Sequence, residues 1–145
     1  MIIAREEFLA SLIGLPWMAG AKGPYHFDCW HLCQYVKRYL YNDPLPDMEV
    51  PPNPTWPWLI DQFKNHPEAI KWHEVPFLHN IVTAHDGSIV LMARHKQPAH
   101  CGLWMAVERK ILHADETLGV MFQDVLSLKA DGWAKLRFFE RYEAY

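Results

Sequence analysis

The chain has 145 residues, of which 50% are hydrophobic and 21% charged, so it can bury one core and is too apolar to remain disordered. A formal net charge of -3, with no long run of Lys and Arg, argues against nucleic acid as a partner. Three cysteines, an odd number, fit thiols kept reduced better than a disulfide framework.

The opening "MIIAREEFLASLIGLPW" has no basic segment ahead of its apolar residues, and it carries Glu6 and Glu7. It also falls short of the roughly 20 apolar residues of a membrane span. Synthesis in the cytoplasm without an export signal, and no membrane span, are the expectations. From Ile3 to Ile13 the residues Phe8, Leu9, Leu12 and Ile13 recur at helical spacing, and Gly14 and Pro16 end the pattern. The glycine-rich "MAGAKGPYHF" that follows reads as loop.

That loop delivers "YHFDCWHLC", Tyr25 to Cys33. Asp28 suits a helix N-cap, and Cys29, Leu32, Cys33, Val36 and Leu40 then form the apolar stripe of an amphipathic helix. Asn42 to Pro57 is rich in proline and reads as an extended connector, before "TWPWLIDQFKNH" forms a short helix stopped by Pro67. Further on, Ser88 to Arg94, Ala99 to Ala106, Lys110 to Ala114 and Ala134 to Tyr142 are strand candidates, with a helical turn between Gln123 and Ala130. Helices first and strands second predict an α+β fold on an antiparallel sheet, as one domain over residues 1–145.

The cysteine stretch has three readings. Structural zinc is the weakest, because His26, Cys29, His31 and Cys33 lack the two separated ligand pairs such sites use, and no metal or other cofactor is expected. Cys33, one turn inside the helix on its apolar stripe, reads as core. Cys29 differs: the first turn of a helix offers unpaired N–H groups and the positive end of the dipole, which favour a thiolate nucleophile.

A nucleophilic cysteine needs a base. His100 opens a strand and shares a face with Gly102 and Trp104. If the loop to the next strand is Ala106 to Arg109, His113 falls opposite Gly102 and diagonal to His100, while Asp115 falls opposite His100. Either His113 or Asp115 then serves to orient the base, which is the logic of a Cys-His hydrolase.

"FDCWHL", "PAHCGLWM" and "ILHADETLGV", in that order, resemble the NlpC family of cell-wall cysteine peptidases, and most closely its phage-tail branch. The resemblance runs from about Ile13 to the "RFFERYEAY" end. It implies a papain-like fold, with the cysteine helix packed on an antiparallel sheet. Cys29 matches the nucleophile, His100 the base and His113 the residue that orients it. Tyr25, Asp28, Trp30 and His31, which surround the nucleophile in the motif, are implied on the substrate side.

The implied activity is hydrolysis of peptidoglycan stem peptides at the bond between D-glutamate and the following diamino acid, without a metal. The implied setting is a phage or prophage tail acting on the cell wall, with other tail proteins as partners. A catalytically silent tail component of the same fold is the alternative. Four positions depart from the family pattern: His31 and Ala99 stand where it has glycine, Asp86–Gly87 reverses its Gly-Asp, and Cys101 replaces a β-branched residue. Alternation predicts that Cys101 faces away from His100.

Overall fold

Asp28 has extended backbone, and its carboxylate accepts the N–H of His31. This cap starts helix α2 at Cys29 and lets it run to Tyr41, where Asn42 adopts a left-handed conformation and turns its N–H onto the Lys37 carbonyl. In the computed structural model, which describes residues 4–51, 53–94 and 99–142, α1 spans Arg5–Leu12 and α3 spans Trp56–Asn65. Ile3, where the first helix was expected to begin, lies outside the described residues, as do Pro52 and the last residues of the terminal motif. A 3-10 turn, Pro67–Lys71, follows α3, and α4 is the short helix Val125–Ala130. Among the described residues no helix is long and apolar enough to cross a membrane.

Among the described residues six strands form one antiparallel sheet: β1 Trp72–Val75, β2 Ser88–Arg94, β3 His100–Met105, β4 Lys110–Asp115, β5 Gly119–Gln123 and β6 Trp133–Arg141. Their order is β1-β6-β2-β3-β4-β5. The sheet is covered on both sides. Leu32, Cys33 and Val36 of α2 pack with Leu91, Cys101, Leu103 and Leu112 on one face, while Val90, Met92, Trp104, Leu128 and Phe138 form a second core on the other. Every residue of β3 is buried, which explains its nearly continuous apolar sequence. Each fully buried Leu or Val of this kind contributes about 2 kcal/mol.

Two short strands, β1 and β5, are not visible in the sequence pattern. β1 has only four residues, and β5 opens on a glycine. β5 is completed from outside the sheet: the Val120 N–H donates to the Leu15 carbonyl at 2.9 Å and the Gly14 N–H to the Val120 carbonyl at 2.8 Å, so the loop after α1 covers this edge. The close approach requires Gly119, at φ +81°, where a Cβ would sit 2.4 Å from the Leu15 oxygen. Gly119→Ala is therefore expected to cost about 3 kcal/mol or more, read as a lowered denaturant midpoint at unchanged slope.

The reversed Asp86–Gly87 turn is rebuilt around the aspartate. The Arg5 guanidinium forms a two-pronged pair with the Asp86 carboxylate at 2.7 and 2.8 Å and also binds Glu108. The Tyr41 hydroxyl and the Ala106 N–H donate to the same carboxylate. Burial pushes the Asp86 carboxyl up, but Arg5, Tyr41 and the Ala106 N–H outweigh it and hold it below the usual range. One side chain thus joins α1, α2 and the β3–β4 turn behind the candidate site.

Candidate active site

Cys29 occupies the first turn of α2, with 8% of its surface exposed at the floor of a cleft of about 300 Å3. Asp28, His100, Asp115, Arg94, Trp17 and Trp133 are among the residues lining that cleft. β3 brings His100 to the same cleft as the thiol, where the two groups act on each other's protonation. The pairing of Met105 with Lys110 closes the Ala106–Arg109 loop, the register expected from strand parity. It sets His113 beside Gly102, where a Cβ would lie 3.1 Å from that of His113. His113 Nδ1 is 3.0 Å from His100 Nε2, with the rings near perpendicular.

Trp133, at the start of β6, stacks on the His100 ring at 5.2 Å between centroids, while the Arg94 guanidinium lies 4.1 Å from the Trp133 ring centroid. These aromatic and cationic contacts restrain the base from the side opposite the α2 core. Neither Trp133 nor Arg94 was singled out in the sequence, since both come to the cleft through β6 pairing with β2. Gln123 was missed as well. Its Oε1 lies 2.8 Å from His113 Nε2, on a strand that the sequence pattern did not reveal.

Several expected site residues lie elsewhere. Asp115 lines the cleft, but its carboxylate accepts the N–H groups of Thr117 and Leu118 at 2.9 and 2.8 Å, which engages it in the β4–β5 turn. His113, not Asp115, is at hydrogen-bonding distance from His100. Tyr25 is 73% exposed and does not line the cleft. Trp30 is core: it is buried against Phe63, and its indole N–H donates to the Pro46 carbonyl, pinning the proline-rich connector. His31 does not line the cleft. It is buried, with Nδ1 2.9 Å from both Asp28 oxygens and Nε2 3.2 Å from Asp47, and it borders a separate groove. A helix side chain two residues beyond the nucleophile is carried around toward the connector, away from the sheet.

Cys101 faces α2, as alternation predicts, and shares a core cluster with Cys29, whose thiol it influences. This contact changes the electrostatics. Hydrogen bonding with Cys101 and burial push the Cys29 thiol well above its ordinary value, against the opposing pull of His100. Burial lowers His100, which Cys29 partly offsets. Both shifts favour a neutral thiol beside a neutral imidazole at rest, burial and the thiol neighbour acting against the helix terminus, which favours the thiolate. Among the described residues no group of three or more His, Cys, Asp or Glu is gathered as a metal site.

Burial lowers His113 too, against a hydrogen bond to the Gln123 carbonyl oxygen that favours its protonated form. Both histidines thus have folded-state values below the ordinary 6.5. Near pH 7 and above, neither the folded nor the unfolded state protonates them appreciably. As pH falls below about 6.5 the unfolded chain binds protons that the native site refuses, so stability falls until the lower folded values are reached. Thermal unfolding between about pH 7 and pH 5 is expected to show this loss, and His113→Asn to reduce its steepness.

No family model matches the chain, and no curated protein sequence matches it. The α+β architecture, with a helix packed on an antiparallel sheet, is an NlpC-type papain-like fold, and solved structures share that fold. One is NlpC2 from Trichomonas vaginalis, with a TM-score of 0.59 and 16% identity over 94% of this chain and 45% of that one. Another is NlpC1 from the same organism, with a TM-score of 0.58 and 15% identity over 94% and 42%. The chain spans less than half the length of these proteins, and at such identity the likeness is one of fold.

Proposed function

We propose that this chain is a cysteine peptidase that cleaves peptidoglycan stem peptides at the D-glutamyl–diamino acid amide, in the setting of a phage or prophage tail. The observation that carries the chemistry is the Cys29 thiol and His100 lining one open cleft, with His113 Nδ1 3.0 Å behind His100 Nε2. The substrate and the tail setting rest on the three motifs. In this reading the protein is made in the bacterial cytoplasm, assembles with other tail proteins and acts on the wall.

The neutral resting pair sets the order of proton transfers. His100 takes the thiol proton as sulfur attacks the amide carbonyl, and the Cys29 backbone N–H at the helix end donates to the developing oxyanion. The imidazolium then protonates the departing amine as the C–N bond breaks, leaving a thioester on Cys29. Water, deprotonated by His100, attacks the thioester, and the returned proton restores the thiol.

One observation favours a silent structural role instead: Cys29 is nearly buried and its thiol is raised. Iodoacetamide labelling followed by peptide mass spectrometry separates the two. In the peptidase reading Cys29 labels through the cleft, while buried Cys33 and Cys101 do not. His100→Ala then slows Cys29 labelling several-fold, since it removes the group that favours the thiolate. A Cys29 that stays unlabelled, or labels identically without His100, supports the silent role.

A further inference from the structure

The hydrogen-bond chain behind the base extends further than the paired histidines. Gln123 Nε2 lies 3.1 Å from Ser127 Oγ and also donates to an Asp131 carboxylate oxygen. A carboxylate only accepts, so the amide must present its NH2 side to Asp131 and its oxygen to His113. His113 Nε2 must then carry the proton donated to Gln123 Oε1. A neutral imidazole has only one N–H, which leaves His113 Nδ1 bare, an acceptor that can be satisfied only by a proton on His100 Nε2. His100 is neutral as well, so its Nδ1, the ring nitrogen not engaged with His113, is bare and is the one left to accept the thiol proton.

We infer that Gln123, held in one orientation by Asp131 and Ser127, is a positioning residue that sets the tautomers of both histidines and turns a proton-accepting nitrogen of His100 toward Cys29. The consequence for catalysis rests on the peptidase reading; the tautomers do not. If Gln123 were turned over, its NH2 would donate to His113 Nε2, His113 would carry its proton on Nδ1, and His100 would meet the thiol with an N–H. That arrangement has no base. Asp131 opposes it, because the turned amide would set its oxygen against a carboxylate.

Asp131 caps α4 through its backbone N–H, which bonds to the Ser127 and Leu128 carbonyls. Asp131→Asn leaves that cap in place while offering Gln123 both a donor and an acceptor. Asp131 is exposed, so the variant should fold, and Gln123→Leu, which removes the amide, is the second variant.

The test is long-range 1H–15N correlation of the imidazole nitrogens at neutral pH in 15N-labelled protein, alongside stem-peptide kinetics. In the wild type, protonated Nε2 and bare Nδ1 are expected on both His100 and His113. Asp131→Asn is expected to mix the tautomers and lower kcat roughly tenfold to a hundredfold with KM within about twofold, and Gln123→Leu to lower it further, a wrong tautomer costing up to about 10^4-fold. A proton on Nδ1 of either histidine in the wild type overturns the inference, as does an Asp131→Asn protein with unchanged tautomers and kcat. If the wild type shows the derived tautomers yet cleaves no stem peptide, the tautomer assignment stands and the peptidase reading fails. If it cleaves with the opposite tautomers, only this inference fails.

Discussion

Cys29→Ala is expected to reduce stem-peptide hydrolysis by about 10^4-fold or more, to the level set by binding and oxyanion stabilisation alone. The alanine keeps the α2 backbone and its Asp28 cap, so the loss falls on kcat and leaves KM within a few-fold. Removing one small sulfur from a site 8% exposed is expected to cost about 1 kcal/mol of stability. Loss of activity in a protein that still melts cooperatively is therefore chemical in origin. Assay of initial rates with thermal unfolding on the same samples reads both quantities.

His100→Ala is expected to lose nearly as much, roughly 10^3- to 10^4-fold in kcat, because a thiol raised by burial and by Cys101 has no other route for its proton. Cys29 and His100 act as one unit, so the double variant should be no slower than Cys29→Ala. Independent losses that multiply would show that the two groups do not share a step. This substitution also removes the ring that stacks on Trp133, so its stability cost is expected to exceed that of Cys29→Ala. His100→Gln, which fills more of that space, is the control: if catalysis requires the base, it stays as inactive while recovering part of the stability.

The acid limb of activity should lie lower than an ordinary histidine would place it. Burial lowers His100, so the neutral base persists as pH falls and is lost only below about 6.5. The same shift lowers stability over that range, so rates at acid pH are read against the folded fraction.

Local chemistry was the most legible part of this chain. The cap at Asp28, the α2 stripe and the strand Ser88–Arg94 follow from capping and periodicity, and all three appear at the expected residues. Parity limited the β3–β4 loop to an even length, and the four-residue loop, one of the lengths it allows, is the one that brings His113 to His100. What the sequence does not display is what lies across space. His31 sits in a motif position that suggests the rim, yet Asp28 and Asp47 draw it inward; Trp30 follows the cysteine directly, yet it points into the core.

The electrostatic state of the site was hidden for the same reason. A thiol at a helix end predicts an anion, but Cys101 on β3 and the burial of Cys29 itself act against it. Gln123 could not be read at all, because β5 is a short edge strand completed by the loop after α1 rather than by a pattern of its own.

The most direct test of the central claim is incubation of purified muropeptides with the wild-type chain and with Cys29→Ala, with products separated and weighed by mass spectrometry. The account predicts that the wild type releases a fragment whose new amine belongs to the diamino acid after D-glutamate, and that Cys29→Ala releases none. A folded wild type that leaves every muropeptide intact, or a Cys29→Ala variant that cleaves as fast as the wild type, would contradict it.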